Sequence, residues 1–402
     1  MHQRVFIVGA KRSAIGRFLS SLGEADAADV CAQVIRGGFS GALLGDVESV
    51  IVGNVLSAGL GQGVARQIAL KAGIDVRVPA YAVNMVCGSG MQAIRNAASE
   101  IRLGGGPVLC GGFELMSRVP FAAPASVRTG SRFGDFAMTD LLVHDGLTDA
   151  FSGAHMGVTA ENVARECGVT REEQDAYAYE TLQRAIAAVD DGVFADEIVP
   201  VLLRDRKGRE TVFDTDEQMN RASTPEKIAS LRPSFQKDGT VTAASSSGLN
   251  DGAAFLVLAS EDYCRAKGIA PLAELVADAA VGCDPQTMGL GPYHAIRKLL
   301  DGAGVPFASV DRFEINEAFA AQALGCYRLL SRAYGVPESE IRARTNVCGS
   351  GIGLGHPLGA TGARIVTTLS HMLARGECET GVASLCIGGG MGAAVLLRRA
   401  SL

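Results

Sequence analysis

Short apolar runs alternate along the chain with segments in which apolar residues recur every three or four positions. The runs are typical of buried β-strands, and the segments between them predict amphipathic helices. The predicted strands cover residues 5–8, 50–52, 107–110, 255–258, 272–276, 313–315 and 382–387, and the clearest helices cover 90–103, 317–332 and 361–375. This alternation predicts an α/β fold with largely parallel sheets and helices on both faces.

The middle of the chain has a different pattern, because the strand signal fades and charged residues become more frequent. One strong helix is predicted there, with Thr170 as its N-cap, Glu173 as the capping-box partner and Gly192 as the stop. We therefore predict that residues 119–249 form a loop domain inserted between two strands of the first sheet.

The two halves of the chain also echo each other. The sequence Asn-Met-Val-Cys-Gly-Ser-Gly at 84–90 is similar to Asn-Val-Cys-Gly-Ser-Gly at 346–351, and Leu-Cys-Gly-Gly at 109–112 is similar to Leu-Cys-Ile-Gly-Gly at 385–389. Matches between glycine-rich turns are common, so this similarity alone does not decide whether the two halves arose by duplication. A doubled unit, with halves 1–268 and 269–402, would bring equivalent strand ends to one ligand-binding seam.

Charge and composition exclude several classes of protein. The 402 residues include 37 Lys+Arg and 43 Asp+Glu, for a net charge of -6, and 48% are apolar. The chain has no basic run, which argues against nucleic acid or an anionic membrane surface as a partner. No apolar stretch is long enough for a membrane span, and no signal peptide is evident, so a cytoplasmic location is expected.

The placement of the ten cysteines and 50 glycines limits the kinds of functional site that the chain can form. No cysteine pair or histidine has zinc-site spacing, so no metal is predicted, and most cysteines should be small buried hydrophobes. The glycines cluster at the ends of apolar runs. That placement indicates tight strand-to-helix turns where the backbone approaches a ligand.

Two side chains stand out beside these turns. Cys87 directly precedes a predicted helix, where the helix dipole is expected to lower the thiol pKa, although a buried structural cysteine is the alternative. His356 lies between glycines and a proline, which are expected to leave its imidazole accessible. His155 is the second candidate histidine. The remaining histidines are expected to be surface or packing residues: His2, His144, His294 and His371.

Cys386 ends a predicted strand and precedes a glycine-rich turn. The pattern Gly388-x-Gly390-x-x-Ala393 fits a relaxed dinucleotide fingerprint. Only nine residues follow Ala393, so we expect no room for the helix, second strand and ribose-binding acid that such a site needs. A nicotinamide cofactor is therefore not predicted.

Four motifs, in order along the chain, resemble those of the thiolase family. They are Val-Asn-Met-Val-Cys-Gly-Ser-Gly-Met-Gln-Ala at 83–93, Asn-Glu-Ala-Phe at 316–319, Gly-His-Pro at 355–357 and Cys-Ile-Gly-Gly-Gly-Met-Gly at 386–392. The resemblance runs from about residue 5 to 397. Residues 145–151 and 155–157 further resemble the biosynthetic, short-chain branch that forms acetoacetyl-CoA.

The resemblance implies a duplicated, five-layered α/β/α/β/α fold with an inserted loop domain that grips coenzyme A, in a homo-oligomer, either dimer or tetramer. Acetyl-CoA and acetoacetyl-CoA would be substrates, with no metal or other cofactor. Cys87 would be the nucleophile and His356 its base, while Cys386 would move the proton of the second acetyl group. Asn316 would hold a water in one oxyanion hole, and Gly388 would supply a backbone N–H to the other. The implied substrate-binding residues are Ser247, His155, Met156, Arg221, Phe235 and Phe319.

The chain departs from the family pattern at several positions. Three serines at 245–247 replace the usual Asn-Ala-Ser, Asn220 aligns where an arginine is usual, and Cys348 and Ser350 replace Asn and Gly. Three alternatives stay open: a degradative 3-ketoacyl-CoA thiolase that accepts longer chains, a ketoacyl synthase, and a catalytically silent acyl-CoA or lipid-binding relative.

Overall fold

The computed structural model describes residues 3–130, 133–205 and 207–402; the expectation for His2 lies outside these ranges. The strands are β1 (Val5–Arg12), β2 (Gly16–Arg17), β3 (Ser49–Gly53), β4 (Ala80–Val83), β5 (Val108–Leu115), β6 (Phe121–Ala122), β7 (Thr139–Asp140), β8 (Val201–Arg204), β9 (Glu210–Phe213), β10 (Asn250–Ser260), β11 (Ala273–Gly282), β12 (Arg312–Ile315), β13 (Thr380–Ile387) and β14 (Met391–Arg399).

The α-helices lie between these strands along the chain, singly or in succession. They are α1 (Ala27–Gly38), α2 (Gly41–Gly45), α3 (Val64–Lys71), α4 (Ser89–Arg102), α5 (Met156–Cys167), α6 (Arg171–Asp190), α7 (Pro225–Ala229), α8 (Glu261–Lys267), α9 (Gly291–Ala303), α10 (Ala320–Tyr334), α11 (Glu338–Ala343), α12 (Gly351–Leu354) and α13 (Leu358–Ala374). A π-helical segment, Leu142–Leu147, lies between β7 and α5. Among the described residues, no helix has the length and apolar content needed to cross a membrane.

One large sheet runs through the molecule in the order β12-β13-β14-β11-β1-β10-β5-β3-β4, with β2 paired to β10. Only the pairs β3–β4, β3–β5 and β12–β13 are parallel, and the other pairs in this sheet are antiparallel. The expectation of largely parallel sheets is therefore wrong. The tight turn between β13 and β14 shows why, since strands joined by so short a turn can pair only in antiparallel fashion.

The helices complete a five-layered arrangement, as the resemblance implied. Helices α4 and α13 pack against each other between the strands of the two halves. Helices α1 and α3 cover the outer face of the first-half strands, and α9 covers that of the second half, with α10 packed against α9. The central pair matters for function, because each of these two helices follows a loop that carries a predicted catalytic residue, Cys87 or His356.

Strand β14 is an element that the apolar pattern of the sequence did not predict. It pairs with β13 on one side and with β11 on the other. Apolar and small residues from Gly392 to Leu397 are buried in it, which explains why this short segment is stable as a strand.

The inserted region lies between β5 and β10, which pair directly. Its longest helix, α6, has the predicted capping box: Thr170 Oγ1 accepts from Glu173 N–H, and Glu173 Oε2 accepts from Thr170 N–H. Gly192 follows the helix with a positive φ of 69°. The domain boundaries drawn from the sequence stay a prediction.

Candidate active site

The nucleophile turn joins β4 to α4 and is held by its own side chains. Asn84 Oδ1 accepts from Val86 N–H at 3.0 Å, and Ser89 Oγ accepts from Met85 N–H at 2.9 Å. The Ser89 hydroxyl donates to Val86 O at 2.7 Å. These bonds hold Val86 at a φ of +48°, which is strained for a β-branched residue. The turn thereby fixes the backbone immediately before Cys87.

Burial decides the protonation of Cys87. It raises the pKa of the thiol to about 11, against smaller opposing effects of the backbone N–H groups of Gly388 and of Cys87 itself. The expectation that the helix N-terminus lowers this pKa is wrong, because loss of water outweighs the helix dipole here. A base must therefore take the proton as the thiol attacks.

His356 is oriented to be that base. Its Nδ1 lies 2.6 Å from Thr361 Oγ1, and the Thr361 hydroxyl donates to Pro357 O at 2.9 Å. Because the hydroxyl proton is already used, Thr361 accepts from His356 Nδ1–H. The lone pair of the imidazole is therefore on Nε2, the nitrogen that lies 3.4 Å from Asn316 Nδ2.

The same imidazole is neutral at physiological pH. Burial lowers the pKa of His356 to about 3, with a smaller contribution from the buried guanidinium of Arg364. A neutral imidazole can accept a proton at its unprotonated nitrogen, which a charged one cannot.

Asn316 follows β12 and completes the wall behind His356. Its backbone N–H donates to Ser384 O of β13 at 2.9 Å, which fixes the residue at the edge of the sheet. Its Oδ1 is buried and accepts no hydrogen bond from any residue that the structure describes. A Cβ on Gly351 would lie 2.7 Å from this oxygen, so glycine is needed there for the amide to fit.

Cys386 and Gly388 belong to the hairpin between β13 and β14. Cys386 is buried and pairs with Gly392 across the hairpin. Burial raises its pKa well above the usual value, and the neighbouring Cys87 adds to the effect. Gly389 and Gly390 turn the chain with φ values of 83° and 82°. This turn places the Gly388 N–H against the Cys87 thiol.

One cavity of about 470 Å³ brings most of the predicted site residues together. Its wall is largely apolar. The predicted residues that line it are Cys87, His356, Cys386, Gly388, Ser247, His155, Met156, Phe235 and Phe319. Asn316 lies just behind His356 and outside this lining.

Aromatic rings form one side of the cavity. His155 stacks on Phe235 with ring centroids 4.9 Å apart, and Phe235 meets Phe319 edge-on at 6.0 Å. His155 also caps α5, because its Nδ1 accepts from Gly157 N–H at 3.0 Å. A flat, apolar wall of this kind suits an extended acyl or pantetheine chain.

Arg221 is the predicted site residue that the structure places elsewhere. It is half exposed and ion-paired with Asp190, with N–O distances of 2.7 and 2.9 Å. It does not line the cavity. Its contact with a nucleotide stays a prediction.

Two residues that hold His356 were missed by the sequence reasoning, Thr361 and Asn250. Thr361 stands five residues after His356, so its place in the Gly-His-Pro segment was an available signal. Asn250 Oδ1 accepts from His356 N–H at 3.0 Å across 106 residues of sequence. Nothing in the local pattern indicates that contact.

The structure also shows the surroundings of the remaining histidines and of the cysteines. His371 is buried with Nε2 2.9 Å from Ala10 O, His144 pairs with Asp145, and His294 meets Tyr293 edge-on. All ten cysteines are unpaired, and most are buried. Over the described ranges, no cluster of three or more His, Cys, Asp or Glu side chains could hold a metal ion; the prediction of no metal stays a prediction.

Comparison with known proteins identifies the family. The protein-family model described as "Thiolase, N-terminal domain" matches residues 5–262 of the sequence. The family model described as "Thiolase, C-terminal domain" matches residues 269–399. An acetyl-CoA acetyltransferase of Pseudomonas aeruginosa is 47% identical over 400 residues, covering 99% of this chain and 100% of that protein.

Solved structures agree with the sequence relatives. An acetyl-CoA acetyltransferase from Syntrophomonas wolfei matches with a TM-score of 0.94 and 40% identity, covering 100% of both chains. The human mitochondrial 3-ketoacyl-CoA thiolase matches with a TM-score of 0.92 and 38% identity, covering 99% of both chains. The four motifs, the cavity that residues of these motifs line, and these matches lead to one conclusion: the chain belongs to the thiolase family.

Proposed function

We propose that this protein is an acetyl-CoA C-acetyltransferase. It joins two acetyl-CoA molecules into acetoacetyl-CoA and free CoA, and catalyses the reverse thiolysis. The observation that carries the proposal is the convergence of Cys87, His356, Cys386 and Gly388 on one cavity. The acetyl-CoA acetyltransferases that match over their full length support the choice of substrate.

The first half-reaction acetylates Cys87. Its sulfur attacks the thioester carbonyl while its proton passes to His356 Nε2, and the C–S bond to CoA breaks. The departing CoA thiolate takes the proton of Cys386 and leaves as free CoA. The N–H groups of Cys87 and Gly388 hydrogen-bond the tetrahedral oxygen; each such donor typically contributes about 2.7–4 kcal/mol of transition-state stabilisation.

The second half-reaction forms the carbon–carbon bond. The Cys386 thiolate removes a methyl proton from a second acetyl-CoA, and the carbanion attacks the acetyl group on Cys87. The Cys87 thiolate then leaves and recovers the proton from His356. The raised pKa of Cys386 makes its thiolate a stronger base, which suits so weak a carbon acid. His356 and a water held by Asn316 would stabilise the enolate oxygen.

Two serine variants separate these roles. With radiolabelled acetyl-CoA, Cys87→Ser should give no acetyl-enzyme, whereas Cys386→Ser should acetylate Cys87 and then form no acetoacetyl-CoA. Cys378→Ser, a buried cysteine that does not line the cavity, serves as the control and should retain both steps. Peptide mapping that finds the label on Cys386 in the wild-type protein would reverse the assignment.

A degradative 3-ketoacyl-CoA thiolase is the second candidate, favoured by the match to the human mitochondrial enzyme of that name. It would use the same catalytic set on longer chains. Thiolysis rates on acetoacetyl-CoA and on a 3-ketoacyl-CoA of eight or more carbons distinguish the two, because an acetyl-specific enzyme should strongly prefer the former.

We also infer a cytoplasmic homo-oligomer, either dimer or tetramer. Apolar side chains on the inserted region support self-association: Phe121, Phe133, Phe136 and Met138 are 51–97% exposed. Strand β4 also ends the large sheet, and one of its edges pairs with no other strand in the described part of the chain. Sedimentation equilibrium of the purified protein tests the assembly, since a monomer at micromolar concentration would contradict it.

A further inference from the structure

Asn250, the first residue of β10, has all of its amide hydrogen-bonding groups committed. It is fully buried, and its Nδ2 donates to Gly16 O and to Gln218 Oε1, both at 2.9 Å. Its Oδ1 accepts from the backbone N–H of His356 at 3.0 Å. A buried amide bonded in this way has a single orientation, because rotation would leave donors and acceptors unpaired.

The backbone next to His356 packs closely against the Asn250 amide. Gly355 has a φ of +108°, and a Cβ there would lie 2.6 Å from Asn250 Cγ. The backbone at 355 therefore lies directly on the face of the amide. Two positions along β10, a Cβ on Gly252 would lie 3.3 Å from Pro357 Cγ. The start of β10 thus supports residues 355–357 as a continuous surface.

We infer that Asn250 is a positioning residue for His356. Thr361 sets which nitrogen of the imidazole carries the proton, whereas Asn250 sets where the backbone of the residue lies. Without this bond, the segment at 355–357 can lift from β10 and move Nε2 away from Cys87. The effect on turnover rests on the proposed function, but the effect on Cys87 reactivity does not.

The expected consequence is a loss of rate without a loss of binding. A displacement of about 1 Å at a reacting group can lower a rate about 100-fold, so Asn250→Ala should lower kcat by about that factor. The KM for acetyl-CoA should change less than about twofold, because the aromatic wall and Ser247 are untouched by the substitution.

The decisive measurement is the pH profile of Cys87 alkylation by iodoacetamide, read by peptide mass spectrometry. In the wild-type protein His356 assists removal of the thiol proton, and His356→Ala should move the profile to higher pH. Asn250→Ala should reproduce at least half of that shift. Arg364, the charged neighbour that lowers the His356 pKa, is unchanged in all variants.

Ser13→Ala is the matched control. Ser13 Oγ accepts from Ala253 N–H at 3.0 Å, so this variant loses a buried hydrogen bond to the same strand without touching His356. It should keep the wild-type kcat within about twofold and leave the alkylation profile unshifted. An unshifted profile in folded Asn250→Ala, or an equal shift in Ser13→Ala, would overturn the positioning role.

A second variant covers the case in which Asn250→Ala does not fold. Gly355→Ala keeps the Asn250 side chain but places a methyl group 2.6–2.8 Å from its Cγ, Nδ2 and Oδ1, so the amide and the backbone at residue 355 cannot keep their present contact. It should shift the alkylation profile in the same direction, and a wild-type profile in the folded variant would contradict the inference. Absence of acetyl-enzyme in the wild-type protein would reject the proposed reaction instead, since alkylation needs no substrate.

Discussion

At the scale of single residues, His356 is held at three points by three different parts of the chain. Asn250 binds its backbone, Thr361 binds Nδ1, and Asn316 lies beside Nε2. Each contact fixes a different property of His356: the position of its backbone, its tautomer, and the surroundings of the lone pair on Nε2. The neutral state of the imidazole follows from burial, and its direction follows from these partners.

The tautomer can be tested at Thr361. Thr361→Val keeps the shape of the side chain but removes the acceptor for Nδ1–H, so the proton can move to Nε2 and block the lone pair. We expect kcat to fall by about 10- to 100-fold, because a general base of this kind contributes at least that much. Thr361→Ser retains the hydroxyl and should stay near the wild-type rate. A wild-type rate for the valine variant in steady-state assays would contradict this assignment.

The motifs single out Cys87, His356, Cys386 and Gly388, and these four residues line one cavity. Their catalytic roles stay a prediction. The protonation of Cys87 was mispredicted for a physical reason. A helix N-terminus is visible in the sequence, whereas the loss of water around a thiol depends on residues that are distant along the chain.

At the scale of elements, the strand and helix positions follow well from the apolar pattern, but the direction of strand pairing does not. Buried strands such as β5, β10 and β13 are apolar on both faces, so parallel and antiparallel neighbours look alike in sequence. Strand β14 was missed because its glycine-rich start resembled a nucleotide-binding turn. Only the pairing with β11 and β13 reveals it as a strand.

Helix α6 connects the inserted region to the site and offers a stability test. Its Tyr177 and Thr181 donate hydrogen bonds to the buried carboxylate of Glu317, next to Asn316. Thr170→Ala removes the N-cap and should cost about 1 kcal/mol of unfolding free energy. Gln183→Ala, at an exposed position in the middle of the same helix, should cost less than about 0.5 kcal/mol. Urea unfolding measures both; equal values for the two variants would argue against the capping role.

At the scale of the whole molecule, buried and partly buried thiols make the free energy of unfolding depend on pH in the alkaline range. Burial raises the pKa of Cys264, Cys283 and Cys378 to about 11, and that of Cys326 and Cys348 to about 12. An unfolded thiol titrates near pH 8.5. Between these values the folded state binds more protons than the unfolded state, so stability decreases as pH rises.

Thermal unfolding should show this decrease directly. We expect Tm to be steady up to about pH 8 and then to fall by several degrees by about pH 10.5. Cys348→Ala removes one of the titrating thiols and should show a shallower fall relative to its own value at pH 7.5. A Tm that is constant from pH 8 to 10.5 would contradict the linkage.

The three anchors of His356 lie at residues 250, 316 and 361, far from Cys87 in sequence. During synthesis the thiol emerges long before its base can be seated, because α13 forms only after most of the chain has been made. A nascent or half-refolded molecule therefore has Cys87 without its paired base and lacks the assisted acylation of the folded site. Recovery of enzymatic activity after dilution from denaturant should accordingly lag behind recovery of helical circular dichroism.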